Sequence, residues 1–503
     1  MTRRTARGSW IALACVVLAS GLINLAYAIR MPGEPDAARI FFDVMFWEQT
    51  GELVDVDYRT KVLPLFLLLT KAMLELTGSL ADTIAVTTNI GAIAGAYILV
   101  PLFLIWRRFV PDRAALAATI LIGVIPAFWL AHLYAFPTMI AAAFFATSFA
   151  LFLASFDRSS PWRSKTMVSA VIFSALAGAT KADIILASPA FLYPLLVRAG
   201  EKRPKLVDFM RSALFPFVMV VLPLTLHFAL APENPGASSA DGLLGMTAQW
   251  ERRFPLSWDA FTSASNRAIN LHSIGIPFAT LAALGLVMMS VRKDTKGYPL
   301  LVLLWALPAI LFWGFRDGNS ARHLFMSAIA LAPCIAYALH VVARPFWLFC
   351  VAIIAMMFAN LSWDKPSYDT VKPSSDLVAS RALLANEIEE RDNRIAAFLA
   401  REDVKAAVVG SHSLPAVRLA GIDSLTRSWY TEDFVLRMAD PEEDGQQSPR
   451  DIVFHYEMHP SSDCSTLRAL EANGYELVTF EYRFRGIIER CSQVERSEAS
   501  HQG

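Results

Sequence analysis

Apolar windows of membrane-spanning length recur along this chain, and they constrain its fold more than any other feature. Charge-free stretches cover residues 11–29, 83–106, 114–131, 133–156, 212–232, 273–291, 298–315, 324–343 and 345–363. A span needs roughly 17–25 apolar residues, because a helix rises about 1.5 Å per residue through hydrocarbon about 30 Å thick. The region 166–197 is also apolar but is broken by Lys181 and Asp183. It reads as two short helices meeting at one membrane surface. The whole pattern predicts a polytopic α-helical membrane protein of about eleven spans. Only 18% of the 503 residues are charged, against about a quarter in a soluble protein. The 45 basic and 45 acidic residues cancel, so no global charge favours nucleic acid.

The basic residues fix an orientation. Arg3, Arg4 and Arg7 precede the first window, and Arg107, Arg108 and Arg113 follow the second. Arg158, Arg163 and Lys165 come next, then Arg198, Lys202, Arg203 and Lys205. Arg292, Lys293, Lys296 and Arg344 complete the series. All fall on one side when the spans alternate, and the positive-inside rule makes that side cytoplasmic. The expected location is a bacterial inner (plasma) membrane, crossed many times. The N-terminus is then cytoplasmic and the C-terminal region periplasmic. The stretch 11–29 lacks a small-residue cleavage site and reads as a retained span.

Three outer segments are long: 30–82, 232–272 and 364–503. The expected division is a transmembrane module, 1–363, followed by a periplasmic α/β domain, 364–503. Within the first outer loop, residues 62–77 are apolar except for Lys71 and Glu75, and Gly78 supplies a stop. They predict a helix on the outer membrane surface. In the last segment, 376–402 patterns as an amphipathic helix and 464–473 as another helix. Strand-like runs occupy 405–409, 451–456 and 475–483, and the polar tail 493–503 is expected to be disordered. Cys15, Cys334 and Cys350 lie in spans. Cys464 and Cys491 share the exported region, whose compartment permits a disulfide.

The candidate chemistry lies on the outer face. Glu34 and Asp36 sit where the chain leaves the first span, and Asp43, Glu48, Glu52, Asp55 and Asp57 follow, with Arg39, Arg59 and Lys61 among them. A carboxylate at that boundary is partly desolvated and can accept a proton from a hydroxyl. The outer cations are Lys181, Arg316, Arg322 and His323, with Arg252, Arg253 and Arg267 in the third loop. His132 and Tyr134 mark another outer turn. Ionisable groups at membrane depth are costly and mark functional sites. Cations there suit a lipid phosphate, and a neighbouring carboxylate suits activation of an acceptor hydroxyl. Salt bridging between loops accounts for the same charges without chemistry.

These residues carry a resemblance to the GT-C superfamily of membrane glycosyltransferases, in the branch with protein O-mannosyltransferases and the lipid A aminoarabinose transferase. The loop GEPDAARIFFDVMFWEQTGEL holds Glu34-x-Asp36, similar to the family's modified Asp-x-Asp motif. Ala37 stands where many members have a second acid, and Asp55-x-Asp57 is a rival pair. GATKADIILASPAFLYPLLVR is similar to the family's glycine-to-lysine junction, and SARHLFMSAIALAP to its Arg-His link.

The resemblance implies a GT-C-like fold and an inverting transfer from a polyprenyl-phosphate sugar to an exported acceptor. Asp36, with Glu34, would be the base. Lys181, Arg322, His323 and Arg316 would meet the donor phosphate. Asp55, Asp57, Arg59, Lys61, Arg252, Arg253 and Tyr134 would serve the acceptor or act secondarily. No cofactor is required, although Glu34 and Asp36 could hold a divalent cation such as Mg²⁺, Mn²⁺ or Ca²⁺ through oxygen ligands. The expected partners are the lipid-linked donor, membrane lipids and the exported acceptor. Two rivals remain: a lipid-carrier flippase or transporter, and an O-antigen ligase or polymerase. A flippase needs charges lining the cytoplasmic halves of the spans, and those halves are nearly charge-free. A ligase usually carries its long loop late among the spans.

Overall fold

A computed structural model describes residues 3–26, 28, 40, 44, 47, 64–78, 80–125, 127–128, 131, 137–156, 162, 164–198, 206–230, 257–262, 274–315 and 321–362, and four later strands. In chain order the helices begin with α1 (Arg3–Ala26), α2 (Pro64–Thr77), α3 (Leu80–Tyr97), α4 (Leu99–Trp106), α5 (Asp112–Ile122), α6 (Pro137–Ser155) and α7 (Lys165–Thr180). A 3₁₀ segment, Ala182–Leu192, leads into α8 (Tyr193–Arg198). Then come α9 (Leu206–Leu230), α10 (Trp258–Thr262), α11 (Ile276–Val291) and α12 (Gly297–Gly314). A 3₁₀ turn, Ala321–Leu324, precedes α13 (Phe325–Val342) and α14 (Phe346–Ser362).

Among the described residues six helices are long and apolar enough to cross a membrane. They are Gly8–Ala26, Asp82–Trp106, Pro137–Ser155, Leu206–Leu226, Gly297–Gly314 and Phe325–Val342. Shorter apolar helices fill Lys165–Thr180, Ala182–Val197, Ile276–Val291 and Phe346–Asn360. Leu18, Leu22, Phe217, Val287, Leu303 and Phe358 are exposed on these helices, as faces turned toward lipid would be.

Elsewhere the helices pack closely, and small residues set the approach. A Cβ added to Gly178 of α7 would lie 2.3 Å from the Met219 carbonyl oxygen of α9. One added to Gly285 of α11 would lie 2.0 Å from the Cys334 carbonyl oxygen of α13. Only glycine allows these crossings, as in membrane helix pairs generally. Polar side chains then clip neighbours together. Ser148 Oγ donates to the Ala170 carbonyl at 2.6 Å, Tyr298 OH to Ala330 at 2.8 Å, and Ser327 Oγ to Ala306 at 3.0 Å. Asn360 Nδ2 donates to Val124 and Ile274, fastening the end of α14 to the chain after α5 and before α11. Such bonds contribute roughly 0.6–2 kcal/mol each within a bilayer.

The helix expected over 62–77 is present as α2, which begins at Pro64. Gly78 closes it with φ +63° and donates from its amide to the Leu74 carbonyl at 2.8 Å, an αL stop. Its two charges are paired, Lys71 with Glu75 one turn on, and Lys71 lies over the Trp47 ring. Phe66, Leu67 and Thr70 are buried, because α2 packs on α3, α7 and α9.

The two helices expected across 166–197 differ from the expectation in one respect: the second begins as a 3₁₀ run of 11 residues. In the C-terminal region the four strands are β1 (Ala406–Val409), β2 (Leu425–Arg427), β3 (Ile452–His455) and β4 (Glu476–Leu477). They form one sheet, order β2-β1-β3-β4, with every pairing parallel. Ala407 faces Leu425 on one side and Val453 on the other. Parallel neighbours require crossover connections. β2 is an element the strand patterning did not anticipate. The helices expected at 376–402 and 464–473, the tail 493–503, and Cys464 and Cys491 lie outside the described residues.

Candidate functional site

The site grows from the end of α7. Ser164 caps the start of this helix by accepting a hydrogen bond from the Met167 amide at 3.2 Å. At the other end the backbone leaves helical geometry at Lys181, φ −158° and ψ 117°. Its amide still donates to the Ala177 carbonyl at 3.0 Å. The extended residue turns the chain into the 3₁₀ segment and presents the Lys181 side chain inward, where the residue is only 9% exposed.

Lys181 Nζ lies 2.8 Å from Asp183 Oδ2. His323 Nδ1 approaches the same oxygen at 3.9 Å. The lysine and histidine are far apart in the chain and meet because α12 and α13 pack beside the 3₁₀ segment. Burial by itself would raise the Asp183 carboxyl. The Lys181 ammonium and the His323 ring outweigh that effect and hold the carboxyl below the usual carboxylate range. The His323 ring stacks on Trp313, with centroids 3.9 Å apart and planes 16° from parallel. Trp313 belongs to the last turn of α12, so the stack ties the histidine to a fixed helix.

Beside this cluster lies a cavity of about 20 Å³. Its lining comprises Thr138, Lys181, Asp183, Ile184, Leu186, Ala187, Ala309, His323, Phe325 and Met326. The ends of five elements meet here: the start of α6, the end of α7, the 3₁₀ segment, the Ala321–Leu324 turn and the start of α13. One polar pocket walled by apolar side chains, holding a cation and an ionised carboxylate, can exchange its internal anion for an external one. It can also place positive charge where negative charge develops.

Two of the candidate residues, Lys181 and His323, are thus brought together. Arg322 belongs to the same 3₁₀ turn as His323, but its side chain lies outside the described residues. Glu34, Asp36, Asp55, Asp57, Arg59, Lys61, Tyr134, Arg252, Arg253 and Arg316 also lie outside them. Among the described residues no group of three or more His, Cys, Asp or Glu side chains is placed to hold a metal ion. The roles of Asp183 as shared counter-ion and of Trp313 as stacking partner were not drawn from the sequence. A carboxylate two positions after a buried lysine was a usable signal for the first. The second depends on packing between α12 and the turn after it.

No family model matches this sequence, and no curated protein matches it. Solved structures do. ArnT from Cupriavidus metallidurans, in its apo state, superposes with a TM-score of 0.57 at 17% identity, over 93% of this chain and 92% of that one. The archaeal oligosaccharyltransferase AglB from Archaeoglobus fulgidus, in complex with an inhibitory peptide and a dolichol-phosphate, gives 0.48 at 16% identity. That match covers 86% of this chain and 58% of AglB. A crystal structure of the Archaeoglobus fulgidus oligosaccharyltransferase with Zn and sulfate gives 0.49 at 15% identity, over 82% and 62%. The chain spans less than two thirds of the oligosaccharyltransferase. ArnT it matches nearly end to end, and on that likeness the chain has the fold of ArnT.

Proposed function

We propose that this protein is an inverting glycosyltransferase that moves a sugar from a polyprenyl-phosphate donor to an exported acceptor at the periplasmic face. The observation that carries the reading is the buried Lys181–Asp183–His323 cluster, set at a helix junction in a chain with this fold. A lysine so placed must be neutralised, since an unpaired buried charge costs several kcal/mol. Asp183 neutralises it now, and a donor phosphate is an anion able to compete for the same ammonium.

The transfer needs few groups. Asp36, beside Glu34, takes the proton of the acceptor hydroxyl. The hydroxyl oxygen attacks the anomeric carbon as the bond from that carbon to the phosphate oxygen breaks, inverting the centre. The bonding pair leaves with the polyprenyl phosphate, which gains one negative charge. Lys181, His323, Arg322 and Arg316 stabilise that charge, so no general acid is required. Asp55, Asp57, Arg59, Lys61, Arg252, Arg253 and Tyr134 are assigned to the acceptor side. A divalent cation on Glu34 and Asp36 would add a Lewis acid at the same place. The acceptor class is a glycolipid, a polysaccharide or a protein.

The test uses purified full-length protein, a panel of radiolabelled polyprenyl-phosphate sugars and a membrane extract. Wild type is expected to pass label to an acceptor, and Asp36→Asn to lose that transfer. Transfer that survives in Asp36→Asn moves the base to Asp55 or Asp57. If no donor is used and vesicles instead take up lipid carrier, the enzyme reading fails in favour of a transporter.

A further inference from the structure

One polar group in the cavity wall has no part in the reaction as described so far. Thr138 is the second residue of α6, a helix of 19 residues. The residue is 5% exposed, and its hydroxyl is buried without a hydrogen-bond partner among the described residues. Other buried threonines behave differently. Thr70, Thr87, Thr88, Thr147 and Thr180 each donate to the carbonyl four residues back in their own helix. Thr138 cannot do this, because the residue four back precedes α6.

Its surroundings say what it could donate to. Thr138 lines the same cavity as Lys181, Asp183 and His323. It sits in the first turn of α6, where backbone amides lack intrahelical acceptors and the helix dipole places partial positive charge. An ammonium, a helix N-terminus and an unused hydroxyl donor together select an anion with acceptor oxygens. A cavity of about 20 Å³ has room for about one water-sized atom, which is the size of a single phosphoryl oxygen.

We propose that Thr138 Oγ1 donates a hydrogen bond to a non-bridging oxygen of the donor phosphate, beside the charge supplied by Lys181. This rests on the reading that the cavity receives that phosphate. Thr138 then helps distinguish a phosphorylated lipid from a neutral one. It touches the leaving group and moves no proton.

The experiment measures equilibrium binding to full-length protein in detergent. The probes are a polyprenyl monophosphate, the uncharged polyprenol of equal length, and inorganic phosphate as competitor. The proteins are wild type, Thr138→Val, Thr138→Ser and Lys181→Met. Thr138→Val keeps the shape and removes the donor. It is expected to weaken polyprenyl-phosphate binding about tenfold, the loss of one hydrogen bond to a charged group. Thr138→Ser should stay within about twofold, and polyprenol binding should not change. Competition by inorganic phosphate would show that the headgroup alone suffices. Lack of competition would show that the lipid tether is needed; either supports the proposal if the valine deficit is present. Wild-type affinity in Thr138→Val, with binding lost in Lys181→Met, overturns the role of Thr138 and leaves the phosphate reading standing. An equal loss for polyprenol overturns it as well, marking a packing role. Failure of wild type to bind the phosphate at all overturns both.

Discussion

The 3₁₀ segment Ala182–Leu192 lives in two environments. At its start Asp183 pairs with Lys181 and lies near His323, beside the cavity. At its end Phe191 stacks on Phe215, centroids 4.2 Å apart and planes 12° from parallel. Phe145, Phe149 and Phe152 meet the same ring edge-on, and Trp305 packs edge-on against Phe145 and Phe149. Runs of 3₁₀ helix beyond three or four residues are uncommon, because their hydrogen bonds are poorly aligned. A run of 11 therefore needs outside support. The aromatic end supplies it by packing, which is rigid and indifferent to ligand. The polar end is held by charge, which a ligand can replace. One segment is thus anchored at one end and exchangeable at the other.

The largest effect is expected at the anchored end. Phe152 touches Phe149, Phe156, Trp162, Phe191 and Phe215 through its ring. Phe152→Ala should cost about 3–5 kcal/mol, the range for emptying a packed aromatic site. Thermal unfolding in detergent measures it. An unchanged midpoint would mean that the aromatic cluster does not hold the segment, and the contrast between the ends would break.

Next comes the exchangeable end. Lys181→Met should lower kcat/KM for transfer by about 10²–10³, the usual loss for one donor to a developing anion. It also strands Asp183, so the unfolding midpoint should fall. Adding Asp183→Asn should restore the midpoint and leave transfer low. If the double variant recovers transfer as well, Lys181 is only a structural counter-ion, and the site lies elsewhere.

These two ends were not equally legible before the structure. The windows that become α1, α6, α12 and α13 were plain, because length and absence of charge are local properties. The stop at Gly78 and the break at Lys181 were legible for the same reason: a positive φ or a charge in an apolar run marks one residue. That Lys181 and His323 share a carboxylate was not, since their meeting depends on how α12 and α13 pack beside the 3₁₀ segment. The 3₁₀ character of Ala182–Leu192 was only half legible. Pro189 stands inside the run and cannot donate to a helix ladder, but the apolar residues around it fit an α-helix, and the rings that pack on Phe191 come from distant parts of the chain. β2 was missed because three residues are too few to show an alternating pattern.

Trp313 offers the finest test of the contrast, because it is an aromatic residue at the polar end. If it acts as the aromatic cluster does, its loss is felt as stability. If it serves the exchangeable end, its loss is felt in donor binding, through the orientation of His323. The stack, at 3.9 Å and 16°, is worth about 0.5–1.5 kcal/mol beyond the area it buries, so the effect should stay near or below tenfold. Trp313→Leu keeps an apolar side chain while removing the ring face. It is expected to raise KM for the donor several-fold and leave kcat within about twofold, whereas Trp313→Phe should sit close to wild type. A drop in unfolding midpoint with KM unchanged would place Trp313 with Phe152, and the boundary between the two ends would then fall at His323 itself.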